Sequence, residues 1–185
     1  MPDLKTFLAP LKKISIDAGA AILEVYNSAS PIEIKNKSDN SPVTQADHAA
    51  HLIIDEGLRN LTTKYPILSE EGGLPDYAER SSWNRYWLVD PLDGTKEFIN
   101  KNDEFTVNIA LIEGDEAILG MVYVPVTGAL FYGAKGCNAW KELAGDIKQL
   151  HVKPVNYGQD LSVVGSRRHG ADALDAMLKS IESKF

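Results

Sequence analysis

Acidic residues follow two short apolar segments in the middle of the sequence. Glu70 and Glu71 come directly after the apolar run at 67–69, and Asp90 comes directly after another run, at 86–89. Such runs, bounded by turn residues, are typical of buried strands. Glu70 and Asp90 are 20 positions apart, enough for the chain to leave one strand and return along a neighbour. We therefore expect their carboxylates to converge on one metal ion. A solvated Glu pair at a turn is the alternative.

The residues after Asp90 predict an anion site beside these carboxylates. The sequence continues Asp90-Pro91-Leu92-Asp93-Gly94-Thr95, and Pro91, which lacks an N–H group, is expected to end the strand. Asp93 is expected to cap a short helix that has Gly94 and Thr95 in its first turn. Unpaired N–H groups at a helix start attract anions such as phosphate. An ordinary Asp-Pro turn with a capping Asp is the alternative.

Magnesium is the cation that this arrangement favours. Carboxylates beside a phosphate-sized anion would repel the anion unless cations lay between them. Mg²⁺ prefers oxygen ligands and shares its coordination shell with water and substrate phosphate. The sequence therefore predicts a site where Mg²⁺ and a phosphate group meet.

The elements around these residues predict two helices, a strand-rich middle, and a final strand and helix. Apolar residues at three- and four-residue spacings predict a helix at 4–25. Thr44, with Asp47 three residues on, predicts the start of a second helix that ends before Pro66. Strands are expected at 67–69, 86–89, within 106–133 and at 161–164, and a helix at 171–184. This order predicts an α+β or layered α/β fold with a largely antiparallel central sheet.

Composition excludes several classes of protein. The 185 residues include 26 Asp and Glu against 19 Lys and Arg, and the net charge of −7 argues against a binder of nucleic acid polymers. The single cysteine, Cys137, excludes a disulfide framework or a Cys-rich zinc site. Neither a signal-peptide core nor a membrane-length apolar run occurs, so we expect a soluble, cytoplasmic protein. Peripheral association with the inner membrane is left open.

The motifs resemble those of a known family of phosphatases. Glu70-Glu71 and the run at 90–95 resemble the inositol monophosphatase family, whose members depend on Mg²⁺ and are inhibited by Li⁺. The segments 41–47, 94–99 and 105–110 are most similar to the family's 3′(2′),5′-bisphosphate nucleotidase branch. The resemblance covers nearly the whole chain. It implies an α-β-α-β-α sandwich with a largely antiparallel first sheet and with the second sheet incomplete in this chain.

The resemblance also implies a domain division and a set of metal ligands. Residues 1–155 would form an α+β domain carrying the metal and phosphate site, and 156–185 the start of a truncated C-terminal α/β domain. Glu70, Asp90 and the backbone carbonyl of Leu92 would hold one Mg²⁺, and Asp90 and Asp93 would hold a second.

Catalytic and substrate-binding roles follow from the same resemblance. The N–H groups of Gly94 and Thr95 would receive the phosphate, with Glu70, Leu92 and Asp93 also facing the substrate. The Thr95 hydroxyl, oriented by Asp47, would position the water that attacks phosphorus, and Glu70 would share in catalysis. For Asp47 a helix cap is the competing role, and the two roles are compatible.

The activity implied is hydrolysis of 3′(2′)-phosphoadenosine 5′-phosphate to AMP and phosphate. Hydrolysis of inositol monophosphate or fructose 1,6-bisphosphate is an alternative, as is a non-catalytic fragment that binds metal and phosphate. The partner would then be a small nucleoside bisphosphate, and a homodimer is left open.

One departure from the family pattern concerns the metal site. The family closes that site with a Trp-Asp-x-Ala-Ala-Gly segment, which does not occur in these 185 residues. We therefore expect a truncated product or a natural short form. Such a chain would bind the second metal weakly, expose apolar surface and have weak phosphatase activity or none.

Overall fold

The chain divides into two compact units, Met1–Leu150 and His151–Phe185. The computed structural model describes residues 3–30, 32–36, 42–154, 163 and 171–182. All the candidate site residues lie in the first unit. The division of the chain into domains at 1–155 and 156–185 stays a prediction.

Two long helices of the first unit follow the predicted apolar spacing. Helix α1 is Lys5–Tyr26 and helix α2 is Gln45–Arg59. The residues that α1 buries include Leu11, Ala18 and Ile22, which recur every three to seven positions and so lie on one face. Helix α2 starts with a capping box formed by Thr44 and Asp47. Both helices and the cap are therefore confirmed, and α2 ends well before Pro66.

The other described elements are nine strands and three helices, namely β1 Ile34–Asn36, β2 Pro42–Thr44, β3 Ile67–Ser69, α3 Tyr77–Arg80, β4 Arg85–Asp93, α4 Thr95–Ile99, β5 Thr106–Glu113, β6 Glu116–Val124, β7 Ala129–Ala134, β8 Ala139–Leu143, β9 Asp146–Leu150 and α5 Ala171–Glu182. A small antiparallel pair joins β1 and β2, and a seven-stranded sheet follows the chain order from β3 to β9. Within the large sheet only β3 and β4 are parallel. The layered fold and the largely antiparallel sheet are thus confirmed.

The core lies between the two long helices and the middle of the sheet. Alternate residues of β5, Val107, Ile109 and Leu111, are buried and form one cluster with the apolar residues of α1 and α2. Trp87 of β4 belongs to the same cluster. Burying an aliphatic side chain of this size contributes about 1.5–3 kcal/mol. This packing fixes the position of β4, and with it the position of Asp90, which follows the apolar part of the strand.

A groove beside the sheet carries exposed apolar side chains. Leu88 is 43% exposed and Val122 is 37% exposed. Together with Leu68 and Met121 they line a cavity of about 530 Å³, whose lining also includes Glu70 and Asp90. The candidate carboxylates therefore adjoin an apolar surface.

The structure differs from the sequence-based expectations at three strands. Strand β4 continues past Pro91 to Asp93, with a shift of register between Asp90 and Asp93, so the expectation that Pro91 ends the strand is wrong. Strands β8 and β9 were not predicted, because neither AWKEL nor DIKQL has the regular alternation of apolar and polar residues that is typical of a half-buried strand. The strand predicted at 161–164 lies outside the described residues apart from Val163, whereas the last predicted helix is confirmed as α5.

The described helices include none with the length and apolar character needed to cross a bilayer.

Candidate active site

Strand pairing brings Glu70 and Asp90 to the same edge of the sheet. In the parallel pair of β3 and β4, Ser69 lies opposite Val89. The backbone N–H of Glu70 donates to the Val89 carbonyl at 3.0 Å. The next residue on each strand is therefore an acid, and the two side chains interact. The expected convergence of these two carboxylates is present.

Asp90 lies in an electrostatic environment that disfavours its charge. Burial, followed by the negative charges of Glu70 and Asp93, raises the pKa of Asp90 to about 7. Its Oδ1 atom is buried and accepts no hydrogen bond from any described residue. A buried carboxylate oxygen without a donor is costly unless a proton or cation compensates it. This oxygen therefore fits a cation that prefers oxygen ligands.

The carboxylates do not form a complete metal-binding group by themselves. Among the described residues, no three acidic, histidine or cysteine side chains are arranged to hold an ion. A metal site here would need backbone carbonyl, water or substrate oxygens as further ligands. Coordination shells of Mg²⁺ usually combine one or two carboxylates with such oxygens.

Asp93 occupies a different position from the expected helix cap. It pairs with Thr106 across the sheet, after the register shift that follows Asp90. The Asn108 side-chain amide donates to Asp93 Oδ2 at 3.2 Å, and the Thr106 hydroxyl donates to Asn108 Oδ1 at 3.0 Å. The residue that precedes α4 is Gly94, and no side chain caps this helix. The capping role assigned to Asp93 is therefore wrong, because β4 and Asn108 hold its carboxylate elsewhere.

Asn108 is a site residue that sequence analysis missed. It lies opposite Asp90 on β5 and contacts Asp93. An amide in an apolar strand was the one available signal. The partner of that amide depends on cross-strand register, which the sequence does not reveal before the strands are aligned.

Gly94 makes the turn from β4 into α4. Its φ of 94° lies in the left-handed region, which costs an L residue about 1–2 kcal/mol. A Cβ at this position would be 2.7 Å from the Glu104 carbonyl oxygen and 3.2 Å from Phe105 Cα. Both the backbone angle and the close approach therefore require glycine here.

We expect Gly94→Ala to lower the free energy of unfolding by more than about 2 kcal/mol, because it adds a clash with backbone to the cost of the left-handed angle. Gly73→Ala is the matched control, since Gly73 has a φ of 78° but no neighbour within 4 Å of an added Cβ. Urea unfolding of both variants measures the difference. Equal losses would mean that the contact with Glu104 is unimportant.

Thr95 connects this turn to Asp47. The Thr95 hydroxyl lies 3.2 Å from Asp47 Oδ1 and 3.3 Å from the Leu92 carbonyl oxygen, and either can accept its proton. Asp47 Oδ2 accepts the Thr44 N–H at 2.8 Å and the Thr44 hydroxyl at 2.6 Å. Asp47 is thus both a helix-capping residue and a partner of Thr95.

The Asp47 carboxylate is almost completely buried, with 2% of the residue exposed. Burial is the main cause that raises its pKa, and the charge of Glu71 adds to the effect. The hydrogen bonds from Thr44 act in the opposite direction without cancelling it. A carboxylate in this setting is a better proton acceptor than an exposed one.

Glu71 and two histidines of α2 also lie near this group. Glu71 lines a separate cavity of about 340 Å³ with Lys35, Thr44 and His48. His51 Nδ1 is 2.9 Å from the Ser69 hydroxyl. Residues 37–41, which follow β1, lie outside the described residues.

The chain is similar to known proteins along nearly its whole length. A model described as the inositol monophosphatase family matches residues 3–184. The 3′(2′),5′-bisphosphate nucleotidase CysQ of Salmonella typhimurium is 51% identical over 169 residues, which are 91% of this chain and 67% of that protein. CysQ of Escherichia coli K12 is 48% identical over the same shares.

A solved structure has the same fold. The crystal structure of CysQ from Bacteroides thetaiotaomicron, a bacterial member of the inositol monophosphatase family, has a TM-score of 0.74 at 32% identity. It covers 98% of this chain and 70% of its own. The chain thus spans about two thirds of the length of these relatives.

These similarities agree with the motifs at 70–71 and 90–95 and with the observed sheet. The match includes every residue placed in the candidate site. The chain belongs to the inositol monophosphatase family.

Proposed function

We propose that this chain carries the site of a 3′(2′),5′-bisphosphate nucleotidase, which hydrolyses 3′(2′)-phosphoadenosine 5′-phosphate to AMP and phosphate. The observation that carries the proposal is the 3.2 Å contact between the Thr95 hydroxyl and buried Asp47, beside the carboxylates of Glu70, Asp90 and Asp93. The substrate class is supported by the names of the relatives that are 48–51% identical.

Two Mg²⁺ ions are the proposed cofactors. Glu70, Asp90 and the Leu92 carbonyl would hold the first, and Asp90 and Asp93 the second. The buried Asp90 Oδ1 supports this assignment, because it accepts no hydrogen bond from the described residues. The Leu92 carbonyl oxygen lies 3.3 Å from the Thr95 hydroxyl, but it has two lone pairs and so can accept a cation whether or not the hydroxyl donates to it. When bound, Mg²⁺ lowers the pKa of a coordinated water and neutralises charge on the phosphate. Family membership supports Li⁺ as an inhibitor.

Thr95 and Asp47 orient the water that attacks phosphorus. An ionised carboxylate accepts hydrogen bonds and donates none, so Asp47 directs the Thr95 proton toward itself. The lone pairs of the Thr95 oxygen are then free to accept a hydrogen bond from water. The raised pKa of Asp47 favours transfer of a proton toward this carboxylate as the water attacks.

The turn into α4 is proposed to bind the phosphate. The N–H groups of Gly94 and Thr95 belong to the start of α4, where backbone donors lack partners within the helix. The left-handed conformation of Gly94, which glycine adopts readily, sets the direction of the turn that carries these N–H groups. The N–H groups that bind the phosphate and the hydroxyl that orients the attacking water would thus belong to two adjacent residues, Gly94 and Thr95.

A substrate panel tests the proposal. Phosphate release from a nucleoside 3′,5′-bisphosphate is expected to exceed release from inositol 1-phosphate and fructose 1,6-bisphosphate by about 10-fold or more. Release should stop in EDTA, return with Mg²⁺ and fall with Li⁺. A preference for an inositol or sugar phosphate would contradict the nucleotidase assignment. Calorimetric binding of Mg²⁺ and phosphate without any release would favour the non-catalytic alternative.

A further inference from the structure

Tyr26 joins the end of α1 to the turn that follows α4. This turn, residues 100–105, is here called the α4–β5 turn. The Tyr26 hydroxyl donates to Asp103 Oδ1 at 2.7 Å and accepts the Asp103 N–H at 3.2 Å. The Lys101 ammonium donates to the Tyr26 carbonyl and lies 4.1 Å from the centre of the Tyr26 ring. The turn is therefore attached to one residue through its hydroxyl, ring and carbonyl.

The α4–β5 turn has a backbone that would not keep this shape unaided. Lys101 has a φ of 57° and Asp103 a φ of 68°, both in the left-handed region. Such residues persist only where the surrounding structure holds them. Both of these strained residues contact Tyr26. Loss of the Tyr26 contacts should therefore allow the turn to relax.

The same turn lies against the residue that begins the proposed phosphate site. The Glu104 carbonyl oxygen would be 2.7 Å, and Phe105 Cα 3.2 Å, from a Cβ built on Gly94. A shift of the turn would therefore move the backbone of Glu104 and Phe105, against which Gly94 packs. Thr95 is the next residue, and its hydroxyl is at the long limit of hydrogen-bonding distance from Asp47. A small displacement would separate the two.

Ring packing links Tyr26 to the other end of α4. Its ring centre lies 5.2 Å from that of Phe98 and 4.9 Å from that of Phe105. Phe98 and Phe105 are themselves buried and 5.4 Å apart. Tyr26 thus contacts α4 through Phe98 and supports Gly94 through the turn. The ring contacts Phe98, Phe105 and Lys101, whereas the hydroxyl contacts Asp103.

We infer that Tyr26 is a positioning residue, whose hydroxyl, through Asp103 and the α4–β5 turn, holds Gly94 and Thr95 in place beside Asp47. The role of Thr95 in this inference rests on the proposed function. The attachment itself rests on the contacts of Tyr26 alone.

Tyr26→Phe tests the inference because it removes the hydroxyl and keeps the ring. Amide hydrogen exchange at 94–106 is expected to rise about fivefold to tenfold, because the two hydrogen bonds between this hydroxyl and Asp103 are lost. The kcat for a nucleoside 3′,5′-bisphosphate should fall about 10-fold, with the Mg²⁺ concentration for half-maximal activity unchanged. Tyr65→Phe is the matched control, since it removes a hydroxyl that accepts from Arg85 at 3.3 Å. It should change neither quantity.

Two substitutions of Asp103 give a second test, because Asn and Gly both tolerate the left-handed backbone conformation at this position. Asp103→Asn keeps an acceptor for the Tyr26 hydroxyl and should behave like the original chain. Asp103→Gly removes the Oδ1 acceptor and keeps the N–H donor, so exchange and kcat should change in the same direction as in Tyr26→Phe, and the two effects should be less than additive when both changes are combined. Failure of Asp103→Asn to preserve kcat and exchange would overturn the inference.

The outcomes separate this inference from the proposed function. Unchanged exchange at 94–106 in Tyr26→Phe overturns the inference, and so does raised exchange with an unchanged kcat. If the original chain releases no phosphate from the nucleotide, the proposed function fails. Exchange in Tyr26→Phe and Asp103→Gly then still decides whether the hydroxyl holds this segment.

Discussion

Asp90→Asn is expected to reduce phosphate release by about 100- to 1,000-fold and, without metal at pH 8, to raise the free energy of unfolding. The loss of activity follows because Asp90 is the one side chain proposed to contact both ions. The gain in stability follows because an ionised Asp90 is unfavourable beside Glu70 and Asp93. An amide keeps the shape of the side chain and removes its charge.

The pH dependence of this effect has a definite sign. The pKa of Asp90 is about 7 in the folded chain and about 3.9 in an unfolded chain. Between these values the folded chain binds more protons, so the free energy of unfolding falls as pH rises and levels off above pH 7. The stability gain in Asp90→Asn should therefore be about 1–2 kcal/mol at pH 8, since solvent screens part of the carboxylate. It should be smaller at pH 5.

Urea unfolding at pH 5 and pH 8, with and without Mg²⁺, measures these quantities. Saturating Mg²⁺ should stabilise the original chain and leave Asp90→Asn nearly unchanged. Asp115→Asn is the matched control, because Asp115 is an exposed acid in the turn between β5 and β6. A variant that is less stable than the original chain at pH 8 would contradict the electrostatic account.

The parts of the site that could be predicted are those that depend on short sequence patterns. Thr44 and Asp47 form a capping box, which needs only four consecutive residues. Glu70 and Asp90 each follow an apolar strand, so their meeting requires only that the two strands be neighbours. In the fold, helix α1 was likewise predictable, because its apolar spacing is local.

The parts that could not be predicted depend on the register between strands. The shift after Asp90 places Asp93 opposite Thr106 and lets Asn108 reach its carboxylate. Because Pro91 cannot donate a ladder hydrogen bond, the sequence predicted that β4 ends there. The strand continues because Pro91 lies in the bulge between Asp90 and Asp93, where no ladder hydrogen bond is needed from it. Tyr26 was missed for a related reason, because 77 positions separate it from Asp103.

Thr95→Val is the second substitution with a large expected effect. Valine has the branched shape of threonine but no hydroxyl, so Asp47 would lose this partner and the attacking water would lose its acceptor. We expect kcat to fall about 100-fold or more. The hydroxyl makes only long contacts, of 3.2 and 3.3 Å, so the free energy of unfolding should fall by less than about 1 kcal/mol.

Thr95→Ser separates the hydroxyl from the rest of the side chain. Serine keeps the donor to Asp47 and should retain most of the activity, whereas a role in packing would make Ser and Val similarly defective. Thr127→Val removes a hydroxyl that accepts the Ala129 N–H at 3.2 Å in the turn between β6 and β7, and it should leave kcat unchanged. Single-turnover phosphate release compares the three variants, because it reports the chemical step apart from product release. If Thr95→Ser were as slow as Thr95→Val, the hydroxyl could not be what orients the water, and Asp47 would be left with only its capping role.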